Sequence, residues 1–214
     1  MKFLVQKLPK INVFRALGKI ETYFAPHLLI KRGQSNKQFC ASFLNYDCCF
    51  KHSIYGVTFE KQRLSTNEKH VKVDILKALT GFLNSRFASY YLFLSTISWG
   101  VEREEVSPNE MLSLPGILFE LPENKVKELA EKVDEISAEL KKDIFIDKSE
   151  ILSIENKIDE IIYDVLNLSQ RERYLIEDVF NYSIDLFQEG ENSKAFLPVN
   201  HSGSELKAYL KILC

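Results

Sequence analysis

A chain of 214 residues, 45% hydrophobic and 27% charged, has the apolar mass for a packed core and is not compositionally disordered. The net charge of −2 hides a division: residues 1–80 hold 14 lysines and arginines against five acids, while residues 81–214 hold 14 against 25. No apolar run nears the ~18 residues of a membrane span, and "MKFLVQKLPKI" lacks a signal-peptide core. These features argue against a membrane-spanning helix or a signal peptide, and the expected location is the cytoplasm.

Strand signals come first. "HLLIKRG" (27–33), "QFCASFL" (38–44), "CCFKH" (48–52) and "IYGVTF" (54–59) are short β-branched, aromatic and Cys-rich runs separated by turn residues. They predict an antiparallel meander within 27–59. From Val73 the period changes: Leu76, Leu79, Leu83, Phe87, Tyr90 or Tyr91, and Leu94 fall three or four apart. That spacing predicts one helix over about 73–95. Trp99 then marks the break at Gly100, where it closes the helix core beneath the sheet, with Glu102 and Arg103 holding the loop that follows.

Pro108, Pro115 and Pro122 bound an extended stretch that cannot be helical throughout. Beyond it, Val126, Leu129, Val133, Ile136 and Leu140 form one amphipathic seam, and Ile151, Ile154, Ile158, Ile161 and Val165 form another. The chain between them is long enough to reverse, which predicts an antiparallel pair. Ser169-Gln-Arg-Glu172 is a capping box opening a third helix with Ile176, Phe180, Ile184 and Phe187 on its apolar face. Residues 188–203 read as a polar linker. A second box at Ser202–Glu205 opens a short helix, marginal alone, that stops uncapped at Cys214, as in a piece of a longer chain.

Catalytic motifs are missing. The eight glycines form neither a dinucleotide fingerprint nor a P-loop, and no Gly-x-Ser-x-Gly occurs. Cys40, Cys48, Cys49 and Cys214 contain no Cys-x-x-Cys, and His27, His52, His70 and His201 are scattered, so the thiols read as reduced and no metal ligand set emerges. Cys49 and His52, three apart in a strand, would face opposite ways. Asp147, Glu155 and Lys157 faintly resemble a nuclease cluster but read as a solvated helix face.

Binding chemistry is more informative. "IKRGQSNKQ" (30–38) places Lys31 and Lys37 as point-charge donors for phosphate. Arg32, Gln34, Asn36 and Gln38 add planar groups whose forks match base edges. Lys51 and His52 follow one hairpin later. Arg103 is a further phosphate candidate, alongside an internal ion pair with a neighbouring acid.

The order of "LLIKRG", "SIYGVTF", "LKALTGFLNSRFASYYLF", "SWGVERE", "LSLPGI" and "IENKIDEIIYDVLNLSQRERYLIED" resembles the C-terminal target-recognition region, TaqI-like in its specificity domain, of adenine-specific DNA methyltransferases from type II restriction–modification systems. The resemblance covers roughly residues 26–185. Type I specificity subunits share the "LNS" helix, the Pro-rich exit and a following helix, and are the nearest alternative.

The resemblance implies a recognition fragment that binds double-stranded DNA. The family's Asn-Pro-Pro-Tyr motif and its S-adenosylmethionine site have no match in this chain, so methyl transfer would belong to a catalytic methyltransferase domain in cis, in some forms fused to a nuclease. No cofactor is expected in the chain itself.

The expected fold is α+β: a small, mostly antiparallel sheet with packed helices, followed by an antiparallel helical bundle. The expected domains are 1–120 for DNA target recognition, 121–187 for the helical region, and 188–214 for the linker and short helix. A competing expectation from the two seams is a helical protein-interaction module that dimerises.

Overall fold

In the computed structural model, residues 20–33, 38–59, 66–96, 105–115, 121–142 and 148–197 are described, and the fold given is theirs. The expectations for Trp99, Glu102, Arg103, Asp147 and the box at Ser202 fall outside them. Three strands, β1 (His27–Lys31), β2 (Ala41–Leu44) and β3 (Ile54–Val57), form an antiparallel sheet in the order β2-β1-β3. This corrects the expected meander, because β1 lies in the middle and the chain crosses from one edge to the other between β2 and β3. The reason is legible in β1, whose first four residues are buried in succession, a pattern suited to a central strand.

The expected strand at 48–52 is instead part of that crossing. Cys48 N–H donates to the Tyr23 carbonyl at 3.1 Å, and the Phe50 ring lies over β3. A Cβ on Gly56 would sit 2.5 Å from Phe50 Cζ and 3.1 Å from Thr22 Cβ, so with the ring in this position the strand passes beneath it as glycine.

Helix α1 (Thr66–Leu83) is the shared wall of two cores. Its Leu76 and Leu83 pack with Leu28 and Ile30 of the sheet and with Phe39. Its Ala78 and Phe82 pack with Val126, Leu129 and Val133 of α4 (Glu123–Glu139) and with Ile158, Ile161 and Ile162 of α5 (Lys148–Val165). Residues from both sides of position 120 therefore build one core. Gly81 makes the close approach possible, since a Cβ there would lie 3.2 Å from Val133 Cγ2.

The single helix expected over 73–95 is two, α1 and α2 (Arg86–Ser95), broken at Asn84-Ser85. Both residues compete for backbone groups through their side chains. Asn84 Nδ2 donates to the carbonyls of Ala41 and Thr80, each at 2.9 Å, and its Oδ1 accepts Ala41 N–H at 3.0 Å. One side chain thus pairs the exposed edge of β2 as a strand would. Ser85 caps α2, its Oγ accepting Ala88 N–H at 3.1 Å.

A short helix, α3 (Pro108–Leu112), begins in a Ser107–Glu110 capping box with proline at its first position, where an extended run was expected. The Ser169–Glu172 box does open α6 (Gln170–Asp178). A π turn (Val179–Ser183), closed by Ile184 N–H to the Val179 carbonyl, leads into α7 (Ile184–Glu189). Ile176, Phe180 and Ile184 recur every four residues, more than an α-helical turn, and the π turn keeps Ile176 and Ile184 buried. Phe187, expected on the apolar face, is largely exposed. The start of the expected 188–203 linker folds back instead: Asp185 Oδ2 accepts Ser193 Oγ–H at 2.6 Å and Lys194 N–H at 2.7 Å. Among the described residues no helix is long and apolar enough to cross a membrane.

Candidate nucleic-acid interface

Five of the nine sequence-picked residues are described, and Lys31, Arg32, Lys51 and His52 meet at one end of the sheet. Lys31 closes β1 opposite Ile54, the first residue of β3. Arg32 N–H donates to the Ser53 carbonyl at 3.0 Å, which holds the Lys51–Ser53 turn beside it. Lys51 and His52 are exposed on that turn. The Arg32 carbonyl accepts Val106 N–H at 3.1 Å, and Gly33 bridges Glu105, so a third segment arrives at the same end. Gln34, Asn36, Lys37 and Arg103 lie outside the described residues.

Arg32 is oriented from within. Its Nε donates to Tyr55 Oη at 2.8 Å, its Nη1 donates to the His52 carbonyl at 3.2 Å, and its guanidinium carbon lies 4.9 Å from the Tyr55 ring centroid. Tyr55 Oη in turn donates to the Val106 carbonyl at 3.5 Å. A guanidinium that donates to two fixed acceptors and lies against a ring has little side-chain entropy left to lose on binding. Sequence reading singled out His52 for its side chain, but the structure also uses its carbonyl. It missed Tyr55, whose only signal was an aromatic on the strand following the Lys51–His52 turn.

A second polar cluster lies between the helices, and sequence reading did not find it. Asp159 on α5 has a side chain only 3% exposed and accepts Arg86 N–H at 2.9 Å, adding a second cap to the start of α2. The Arg86 guanidinium reaches Glu177 Oε1 at 3.0 Å, Asn156 Oδ1 at 2.7 Å and Asp159 Oδ2 at 3.6 Å. Tyr163 Oη also donates to Glu177 Oε1, at 3.0 Å. A cavity of about 480 Å³, with Asp159, Tyr163, Arg173 and Tyr174 among its lining residues, opens beside them.

Burial raises the Asp159 carboxyl to about 7, against the pull of Arg86 and with a further push from Glu177 and Glu155. Burial likewise raises Glu155, which is half-buried rather than solvated, although Arg86 opposes it. Burial also weighs against the Arg86 charge, but Asp159 and Glu177 more than offset it and hold the guanidinium above its ordinary value.

The Cys49–His52 pairing has no counterpart; it is Cys48 that meets a histidine. Cys48 Sγ lies 3.5 Å from Nε2 of the fully buried His27, whose Nδ1 donates to the Thr22 carbonyl at 2.7 Å. Burial, then Cys49 and Asp47, push the Cys48 thiol up, so it serves His27 as an S–H donor rather than as a thiolate nucleophile. Among the described residues no group of His, Cys, Asp and Glu could hold a metal ion.

No protein-family model, curated protein or solved structure matches the chain.

Proposed function

We propose that the chain is a DNA target-recognition region, resembling that of type II adenine-specific methyltransferases, which grips duplex DNA with the basic end of its sheet. The observation that carries this reading is the meeting of Lys31, Arg32, Lys51 and His52, from two separate stretches of sequence, on one sheet end. The lysines supply phosphate contacts and the oriented Arg32 fork suits a base edge. Methyl transfer, with its S-adenosylmethionine, falls to a catalytic domain in cis, in the cytoplasm. Against the rival reading, dimerising helices, stands the burial of Val126, Leu129, Val133, Ile154, Ile158 and Ile161 within the chain, although Leu140 is exposed.

Fluorescence anisotropy with a labelled duplex of about 25 base pairs tests the proposal. If about six phosphates are contacted, the log–log dependence of affinity on salt has a slope near −5. Replacing Lys31 and Lys51 together by alanine makes that slope shallower by about 2 on every sequence. A flat salt response, or a slope untouched by the double variant, overturns it.

A further inference from the structure

Asp159 sits where α2, α5 and α6 meet. The charged and titratable groups facing it are Arg86 from α2, Glu177 from α6, and Glu155 and Tyr163 from α5 itself. Three carboxyl groups surround one guanidinium. Arg173, across the cavity, adds nothing to the balance because it is engaged by Glu160 and Asp164 at 2.7 and 2.6 Å. The cluster is therefore short of positive charge, and the adjoining cavity gives its buried member a route to exchange a proton with solvent.

We propose that this cluster is a proton-operated clasp: a proton on Asp159 holds α2 against α5 and α6, and its loss to solvent loosens the joint. When Asp159 is protonated, its carbonyl oxygen still accepts Arg86 N–H, so the α2 cap survives while the repulsion from Glu177 and Glu155 is relieved. When it ionises, a second carboxylate, itself only 3% exposed, competes with Glu177 for Arg86. The clasp lies next to Asn84, which grips the β2 edge, so its state bears on how firmly the helices hold the sheet.

The sign follows from linkage. A carboxyl raised in the folded state binds its proton more tightly there than in the unfolded chain, so stability is fully present below its ordinary value of 3.8 and declines as pH rises toward about 7. Glu123 and Glu172 are shifted the other way, each held low chiefly by a side-chain hydrogen bond, and both are already ionised throughout pH 5 to 8.

Urea unfolding of the full chain at pH 5, 6, 7 and 8 reads the effect, with the Asp159 side-chain carboxyl followed by carbon-13 NMR on the unaltered protein. The unfolding constant is expected to rise about a hundredfold from pH 5 to pH 8 from this group. Asp159→Asn should lose that rise, and subtracting its profile removes what every other group contributes. The Asp159 signal should titrate near neutrality, and lower in Glu177→Gln. Titration of that carboxyl near 4, or an Asp159→Asn profile parallel to the parent's, overturns the clasp; the NMR arm decides even if the variant does not fold.

Discussion

Asn84 gives both ends of its side-chain amide to Ala41 and so acts as a one-residue strand along the edge of β2. Its neighbours have equally separate tasks: Leu83 is in the sheet-side core, Ser85 caps α2, and Arg86 enters the carboxylate cluster. Asn84→Ala leaves a backbone donor and acceptor without this partner and should cost about 2 kcal/mol of unfolding free energy in urea. A change within about 0.5 kcal/mol would mean that water replaces the amide without loss. In the sequence, an Asn-Ser pair inside an unbroken apolar stripe was the visible sign of the helix break. The stripe hid it, because both halves bury residues in the same two cores. Asp159 had no such sign. It sits between the seam residues Ile158 and Ile161, and only the arrival of Arg86 from another helix gives a buried carboxyl a partner there.

At the scale of elements, helix seams were the most legible feature. The 3-4 spacing in α4 and α5 marks residues that are buried mid-helix, with Ile136, Ile151 and Val165 half-buried toward the helix ends and Leu140 exposed after α4. Strands were harder to place. A run such as "CCFKH" carries strand-forming residues, yet it belongs to a crossing whose path is set by Tyr23 and Gly56, residues remote in sequence. The packing of α4 and α5 on α1 depends on Gly81. Gly81→Val should destabilise by about 1–3 kcal/mol through overpacking against Val133 and Ile158. Leu129→Ala, at a fully buried position, should cost about 2–5 kcal/mol. Thermal unfolding of each variant checks both, and a Gly81→Val protein as stable as the parent would show that the helix interface has slack.

For the whole molecule, the division of charge between the two halves of the sequence was readable at once, and so was the α+β class. What the sequence could not supply was convergence. Lys31 and Lys51 are twenty residues apart in the chain, and it is the β1–β3 pairing, with Arg32 reaching Ser53 and His52, that brings them together. The most direct test of the proposed grip is a titration of nitrogen-15-labelled chain with a short DNA duplex, followed residue by residue in NMR spectra. Lys31 to Gly33, Lys51 to Tyr55 and Glu105 to Ser107 should show the largest amide shifts, with α4 and α5 nearly silent. Shifts concentrated on those helices, or none at all at millimolar duplex, would contradict the account.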